Sequence, residues 1–182
     1  ACRISWPARP AGGRGDTEKA SLDGTAEGWI LRAAGTEARG PGMQTTYAQM
    51  VAASLGIPSD RIDGVQGDTD LATGFGSVGS RSLFVGGTAV AVSTSDLIAK
   101  AREKASSLLE ASVEDIEYRD GWLTVVGTDR RIGLFDVAKK ENGTRLSVDS
   151  EGAVDGPSWP NGTHICDVEI DPDDGASRGV RH

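Results

Sequence analysis

The stretch GDTDLATGFGSVGSRSLFVGGTAV, residues 67–90, contains the glycine series Gly74, Gly76 and Gly79 and then turns helical. The spacing satisfies G-x-G-x-x-G, the turn that cradles a dinucleotide pyrophosphate. That turn needs a strand ending directly before its first glycine and an acid about 20 residues beyond it. Here the nearest strand candidate, RIDGVQ at residues 61–66, is separated from Gly74 by the polar run GDTDLAT. Asp96 lies 17 residues past Gly79, inside the helical pattern, where it cannot reach a ribose. The dinucleotide reading fails on both counts. What remains is a glycine-rich loop delivering the chain into a helix that starts near Leu83. A second such loop, RGPGM at residues 39–43, leads into a helix from Thr45. Both loops place backbone N–H groups at a helix N-terminus behind residues without bulky side chains. That arrangement suits an anionic phosphate or a flat polar heterocycle. Ser80, Arg81 and Ser82 would add hydroxyl and charge-assisted hydrogen bonds. In the competing reading, Arg81 only closes its loop by pairing with Asp68 or Asp70.

Outward from these loops, the first helix shows Tyr47, Met50, Val51, Ser54 and Leu55 on one stripe and stops at Gly56 and Pro58. The second carries Leu97, Ala101, Ala105 and Leu108, with Ile98 and Leu109 beside them. EGWILRAA (27–34) reads as a short strand, weaker RIDGVQ as another, and SVED (112–115) as a capped turn. IEYRDGWLTV (116–125) reads as a hairpin turning at Asp120 and Gly121, and GLFDVAKKE as a short amphipathic helix. Pro157 and Pro160 mark a loop. THICDVEI (163–170) alternates, with His164, Cys166, Val168 and Ile170 on one expected inward face, and ASRGVRH begins a return strand. Residues 1–25, rich in Gly, Arg and Pro, read as an irregular N-terminal arm, and 26–182 as part of one domain. The fold class is α+β: two layers, a mixed sheet with two principal helices packed on one face.

Composition narrows the function. A net charge of -8 over 182 residues argues against a nucleic-acid partner. No apolar run is expected to approach the length of a membrane span. Cys2 and Cys166, at opposite ends, form neither a metal-ligand spacing nor a disulfide scaffold, so a reducing cytoplasm is the expected compartment. The 25 glycines, about twice average usage, call for turns or close backbone approaches. Other motifs have plainer readings. GASRG (175–179) matches a nucleophile elbow but has only His182 downstream, so it starts a strand. DPDDG lacks the spacing and closing Glu of a calcium loop and turns a hairpin. Asp68 and Asp70 cap turns rather than share a proton. His164 reads as a buried histidine rather than a metal ligand. Asn142 and Asn161 begin NGT sequons that read as loop residues.

Six segments together are more specific than any glycine motif. They are GTEARGPGMQTTYAQ, LGIP, GDTD, GSRS with its Gly/Ala-rich helix, LLEASVEDIEYRDGWLTVVGT with FDVAKK, and PNGTHICDVEIDPDDG. In this order and spacing, from residue 27 to 182, they resemble the molybdopterin-binding large subunit of the xanthine dehydrogenase, aldehyde oxidase and aerobic carbon monoxide dehydrogenase family, the carbon monoxide dehydrogenase-like branch most of all. The resemblance implies contact with molybdopterin, often in its cytosine dinucleotide form. Carried across, Gly40 and Gly42 match the glycines of the family's G-Q-G turn, Thr45 and Gln49 its following T and Q, and Gly79, Ser80, Arg81 and Ser82 its G-S-R-S. Pro41 stands where the family has Gln and Met43 where it has His, so one amide side chain and one backbone donor are missing. In that family the metal carries the redox chemistry, and electrons leave through iron–sulfur and FAD subunits. The protein orients the cofactor and supplies a carboxylate base from a G-E-x-G-like segment that this sequence lacks. The resemblance therefore implies a cofactor-binding portion of a molybdenum subunit with no catalytic residue and no protein-ligated metal of its own. By itself this chain is expected to be inactive on aldehydes, purines and carbon monoxide. The alternative is a non-catalytic scaffold or subunit-interaction domain of the same ancestry.

Overall fold

In the computed structural model, residues 17–40, 42–68, 70–140, 145–156, 163 and 165–181 are described. The readings placed on Cys2, Pro41, Asn142, Pro157, Pro160, Asn161, His164 and His182 lie outside them. The main sheet has four strands in the order β3-β2-β1-β7. Strand β1 (Thr17–Thr25) pairs antiparallel with β2 (Ile30–Ala34) on one side and β7 (Arg145–Ala153) on the other. Strand β3 (Ile62–Gln66) runs parallel to β2, and helix α1 (Met43–Leu55) connects the two. The sheet is thus mixed, as expected.

One face of this sheet carries Ala20, Leu22, Ile30, Ala34, Ile62 and Leu146, all buried. Against it pack α1, through Tyr47, Val51 and Leu55, and the long helix α2 (Gly87–Leu109), through Ala89, Val90, Leu97, Ala101 and Ala105. Each fully buried Leu, Ile or Val side chain in this layer contributes about 1.5–3 kcal/mol. The small residues let α2 approach closely. At Gly152 of β7 a Cβ would lie 2.4 Å from the backbone nitrogen of Ala89, so helix and strand touch backbone to backbone. Ser93 donates to the carbonyl of Ala20 at 2.8 Å, satisfying a buried hydroxyl at the same contact. Gly56 ends α1 in the left-handed conformation (φ 63°), as its position predicts.

A second sheet holds β4 (Ile116–Arg119), β5 (Trp122–Val125) and β6 (Arg131–Gly133), followed by the short helix α3 (Leu134–Lys140). The expected turn is there: Asp120 and Gly121 both have positive φ, at 48° and 79°. A hairpin of β8 (Asp167–Ile170) and β9 (Ser177–Arg181) pairs within itself.

Three expectations are corrected. Residues 17–25 are not irregular; they form β1, an inner strand of the main sheet. Its apolar residues are Ala20 and Leu22, too few to announce a strand. Cys166, Val168 and Ile170 are exposed rather than inward-facing. The segment Ser82–Leu109 is long and apolar enough by length and composition to cross a membrane. Its apolar side lies on β1 and β7, which makes it the core helix of this domain.

Candidate functional site: two glycine loops at the ends of the parallel strands

Both glycine loops leave the C-terminal ends of the parallel pair. Residues 35–42 follow β2 and enter α1; residues 67–81 follow β3 and enter a π-helical turn, Ser82–Gly86, that continues into α2. Gly74 is therefore not the end of a strand, and the dinucleotide geometry is absent as expected.

The loops are tied at their base. Ser77 Oγ accepts the N–H of Glu37 at 2.8 Å and donates to its carbonyl at 3.1 Å, and Ser82 Oγ donates to Ser77 Oγ at 2.8 Å. A Cβ on Gly35 would come within 2.6 Å of the Cα of Gly74. Glycine is required at both because the two backbones touch.

The glycines of GFGSVG do hold an anion, but it is internal. Glu18, on β1, turns its fully buried carboxylate into the loop. Its oxygens accept the N–H groups of Phe75 (3.2 Å) and Gly76 (3.3 Å) and the guanidinium of Arg81 (2.5 Å). Arg81 further donates to the carbonyls of Gly76 (2.5 Å) and Thr17 (2.6 Å), with its guanidinium 5.1 Å from the ring of Phe75. Its side chain is 8% exposed, so the charge serves the interior. Neither expected partner is used: Asp68 instead accepts the N–H of Asp70 at 2.9 Å, a turn-capping bond.

The other sequence-matched residues lie at the openings of the two helices. Gly40 (φ 87°) and Gly42 (φ 74°) are left-handed, and no atom lies within 4 Å of where a Cβ would be on either. Gly42 is the N-cap of α1 and, having no side chain, offers no side-chain cap to the first-turn N–H groups of Met43, Gln44 and Thr45. Thr45 and Gln49 are exposed one turn apart along α1. At the second helix, Gly79 (φ 53°) and Ser80 (φ 61°) are left-handed and exposed, and the turn beginning at Ser82 again has no side-chain cap. The two starts adjoin: a Cβ on Gly86 would lie 2.4 Å from the Tyr47 hydroxyl and one on Gly87 3.4 Å from Met50 Cε. Two uncapped helix N-termini thus stand together behind glycines. Among the described residues, no group of three His, Cys, Asp or Glu could hold a metal.

Sequence reasoning missed Glu18, Thr36, Ser77 and the second role of Tyr47. Tyr47 was legible as a core position, and its ring is fully buried. Its hydroxyl also donates to the carbonyl of Ser82 and meets Thr36 Oγ1 at 3.1 Å. Beside it Arg32, 2% exposed, lies across Gly64, where a Cβ would fall 1.9 Å from its Nη2. This is why the strand RIDGVQ carries a glycine. Burial lowers the pKa of Arg32, and the Tyr47 ring lies 5.3 Å from its guanidinium.

The chain's two tyrosines pin α1 near both ends, since Tyr118 donates to the carbonyl of Leu55 at 2.8 Å. Burial raises both phenols above their ordinary value of 10.0, Tyr118 to about 12 with help from Asp120. The folded state favours the neutral phenol. Its contribution to stability is therefore complete below pH 10 and lost as the pH rises toward 12. An ultraviolet titration of the folded protein should show no phenolate step near pH 10, with unfolding free energy falling above it. A full two-tyrosine step at pH 10 in folded protein would contradict these positions.

Comparison with known proteins shows the family of the chain. The sequence model of the family described as "Molybdopterin cofactor-binding domain" matches residues 4–182, so the likeness begins well before residue 27. The large chain of carbon monoxide dehydrogenase from Hydrogenophaga pseudoflava is 36% identical over 146 residues, 75% of this chain and 18% of that one. Subunit gamma of the 6-hydroxypseudooxynicotine dehydrogenase complex from Paenarthrobacter nicotinovorans is 32% identical over 179 residues, 93% of this chain and 22% of that one. Among solved structures, reconstituted CO dehydrogenase from Oligotropha carboxidovorans superposes with a TM-score of 0.74 at 30% identity, over 90% of this chain and 22% of that one. The chain spans about a fifth of the length of these relatives. It belongs to the molybdopterin cofactor-binding domain family of molybdenum hydroxylases.

Proposed function

We propose that this chain holds molybdopterin, in its cytosine dinucleotide form, against the paired starts of α1 and α2. The observation that carries the reading is the pair of uncapped helix N-termini behind Gly42 and Ser80, open where a Cβ would stand on Gly40, Gly42 and Gly79. Phosphate and pterin oxygens fit such exposed N–H groups. Gly40, Gly42, Thr45 and Gln49 would hold one side and Gly79, Ser80 and Ser82 the other. Arg81 would only hold the loop in shape, since its side chain is spent on Glu18 and its N–H on the carbonyl of Val78. The cofactor, when bound, supplies the redox chemistry; this chain's residues bind and orient it.

The whole protein is then a molybdenum-dependent oxidoreductase subunit acting on an aldehyde, an N-heterocycle or carbon monoxide. Its partners are the rest of the molybdenum subunit and iron–sulfur and FAD subunits, in the cytoplasm. Pro41, which brings no N–H to the first loop, favours a second reading as a non-catalytic scaffold. The two separate by molybdenum and pterin analysis of the chain purified from a host that makes molybdopterin. Co-purified pterin is expected; its absence, beside full loading of a known relative treated alike, would leave the scaffold reading.

A further inference from the structure

We infer that Tyr47 is a positioning residue: its hydroxyl sets the spacing between the two cofactor-facing helix starts. This rests on the cofactor reading above. A phenol has one proton, and Tyr47 gives it to the carbonyl of Ser82. Thr36 must then donate to Tyr47 across their 3.1 Å contact. The Thr36 hydroxyl in turn accepts from Gln66 Nε2 at 2.9 Å. A single directed relay therefore runs from Gln66 at the end of β3, through Thr36 just past β2 and Tyr47 on α1, to Ser82 where the second helix begins. Thr36 and Tyr47, the two middle members, are fully buried and out of contact with solvent. Gly86 is the accommodation the relay demands, because a Cβ there would lie 2.4 Å from the Tyr47 oxygen and 2.7 Å from Thr36 Cγ2. Each loop's position is thereby set by the other's through the Thr36 and Tyr47 hydroxyls, which touch no ligand. Tyr118 supplies the contrast: it makes an equivalent bond to Leu55 at the far end of the same helix, away from the loops.

The test is calorimetric titration of cyclic pyranopterin monophosphate into the unaltered chain, Tyr47→Phe and Tyr118→Phe, with a melting curve of each. Both variants should melt earlier by similar amounts, since each loses one partly or fully buried hydroxyl. Of the two tyrosine variants, only Tyr47→Phe should bind more weakly, by about two- to twelvefold, the range of one hydrogen bond. Thr36→Val, which cuts the relay one step earlier, should bind as weakly as Tyr47→Phe and serves where that variant does not fold. Equal affinity in the unaltered chain, Tyr47→Phe and Thr36→Val would overturn the inference while leaving the cofactor reading intact. No binding by the unaltered chain would overturn both.

Discussion

Arg81→Ala is expected to destabilise the ligand-free protein by about 3–5 kcal/mol, the cost of removing one member of a buried ion pair. Its partner Glu18 has a fully buried carboxylate and would keep only the N–H groups of Lys19, Phe75 and Gly76. Two carbonyls, of Thr17 and Gly76, would lose their donor as well. The double variant Glu18→Gln with Arg81→Met should recover part of the loss, because neither partner then leaves an unpaired charge. Urea denaturation measures all three. A loss under about 1 kcal/mol for Arg81→Ala, the range of an exposed pair, would place the guanidinium in solvent and reopen a direct role in phosphate binding.

Gly74→Ala should cost about 3 kcal/mol, at the upper end of ordinary overpacking. The added methyl would fall 1.7 Å from Glu18 Oε1 and 2.7 Å from the Cα of Gly35. Neither can yield cheaply, since the carboxylate is pinned by Arg81 and the other contact is backbone. Gly79→Ala makes the comparison. Its methyl would meet nothing within 4 Å, so it bears only the left-handed conformation at φ 53°, about 1 kcal/mol. Equal losses at the two positions in denaturation curves would mean that the loop does not press on Glu18 and Gly35.

The two helices, their stops and the Asp120–Gly121 turn were legible because each is written locally: an apolar period, a glycine followed by proline, an Asp-Gly pair. Strand β1 was not. Its helix-facing positions hold Glu18, Ala20, Leu22 and Gly24, and a buried glutamate and glycine break any alternating signal. Strand β7 fails likewise, with Leu146 and Val148 its main apolar residues and Gly152 kept bare for α2. The glycine loop was legible as a place of close approach to an anion. That its anion is Glu18, 56 residues before Gly74, depends on the register of β1 under the loop, which no local pattern records. The resemblance of GSRS to the family's segment singles out Arg81 but carries no information on where its side chain goes. The direction of its side chain depends on the same distant strand.

The central claim is that the open amides of the two helix starts receive the cofactor while the amides spent on Glu18 do not. Nuclear magnetic resonance can read both sets at once, as shifts of individual backbone N–H signals during titration with cyclic pyranopterin monophosphate. The expected result is movement at Gly40, Gly42, Met43, Gln44, Gly79, Ser80 and Ser82, with Phe75 and Gly76 still. Shifts at Phe75 and Gly76, or shifts confined to the helix-free face of the sheet around Leu31 and Val65, would contradict it.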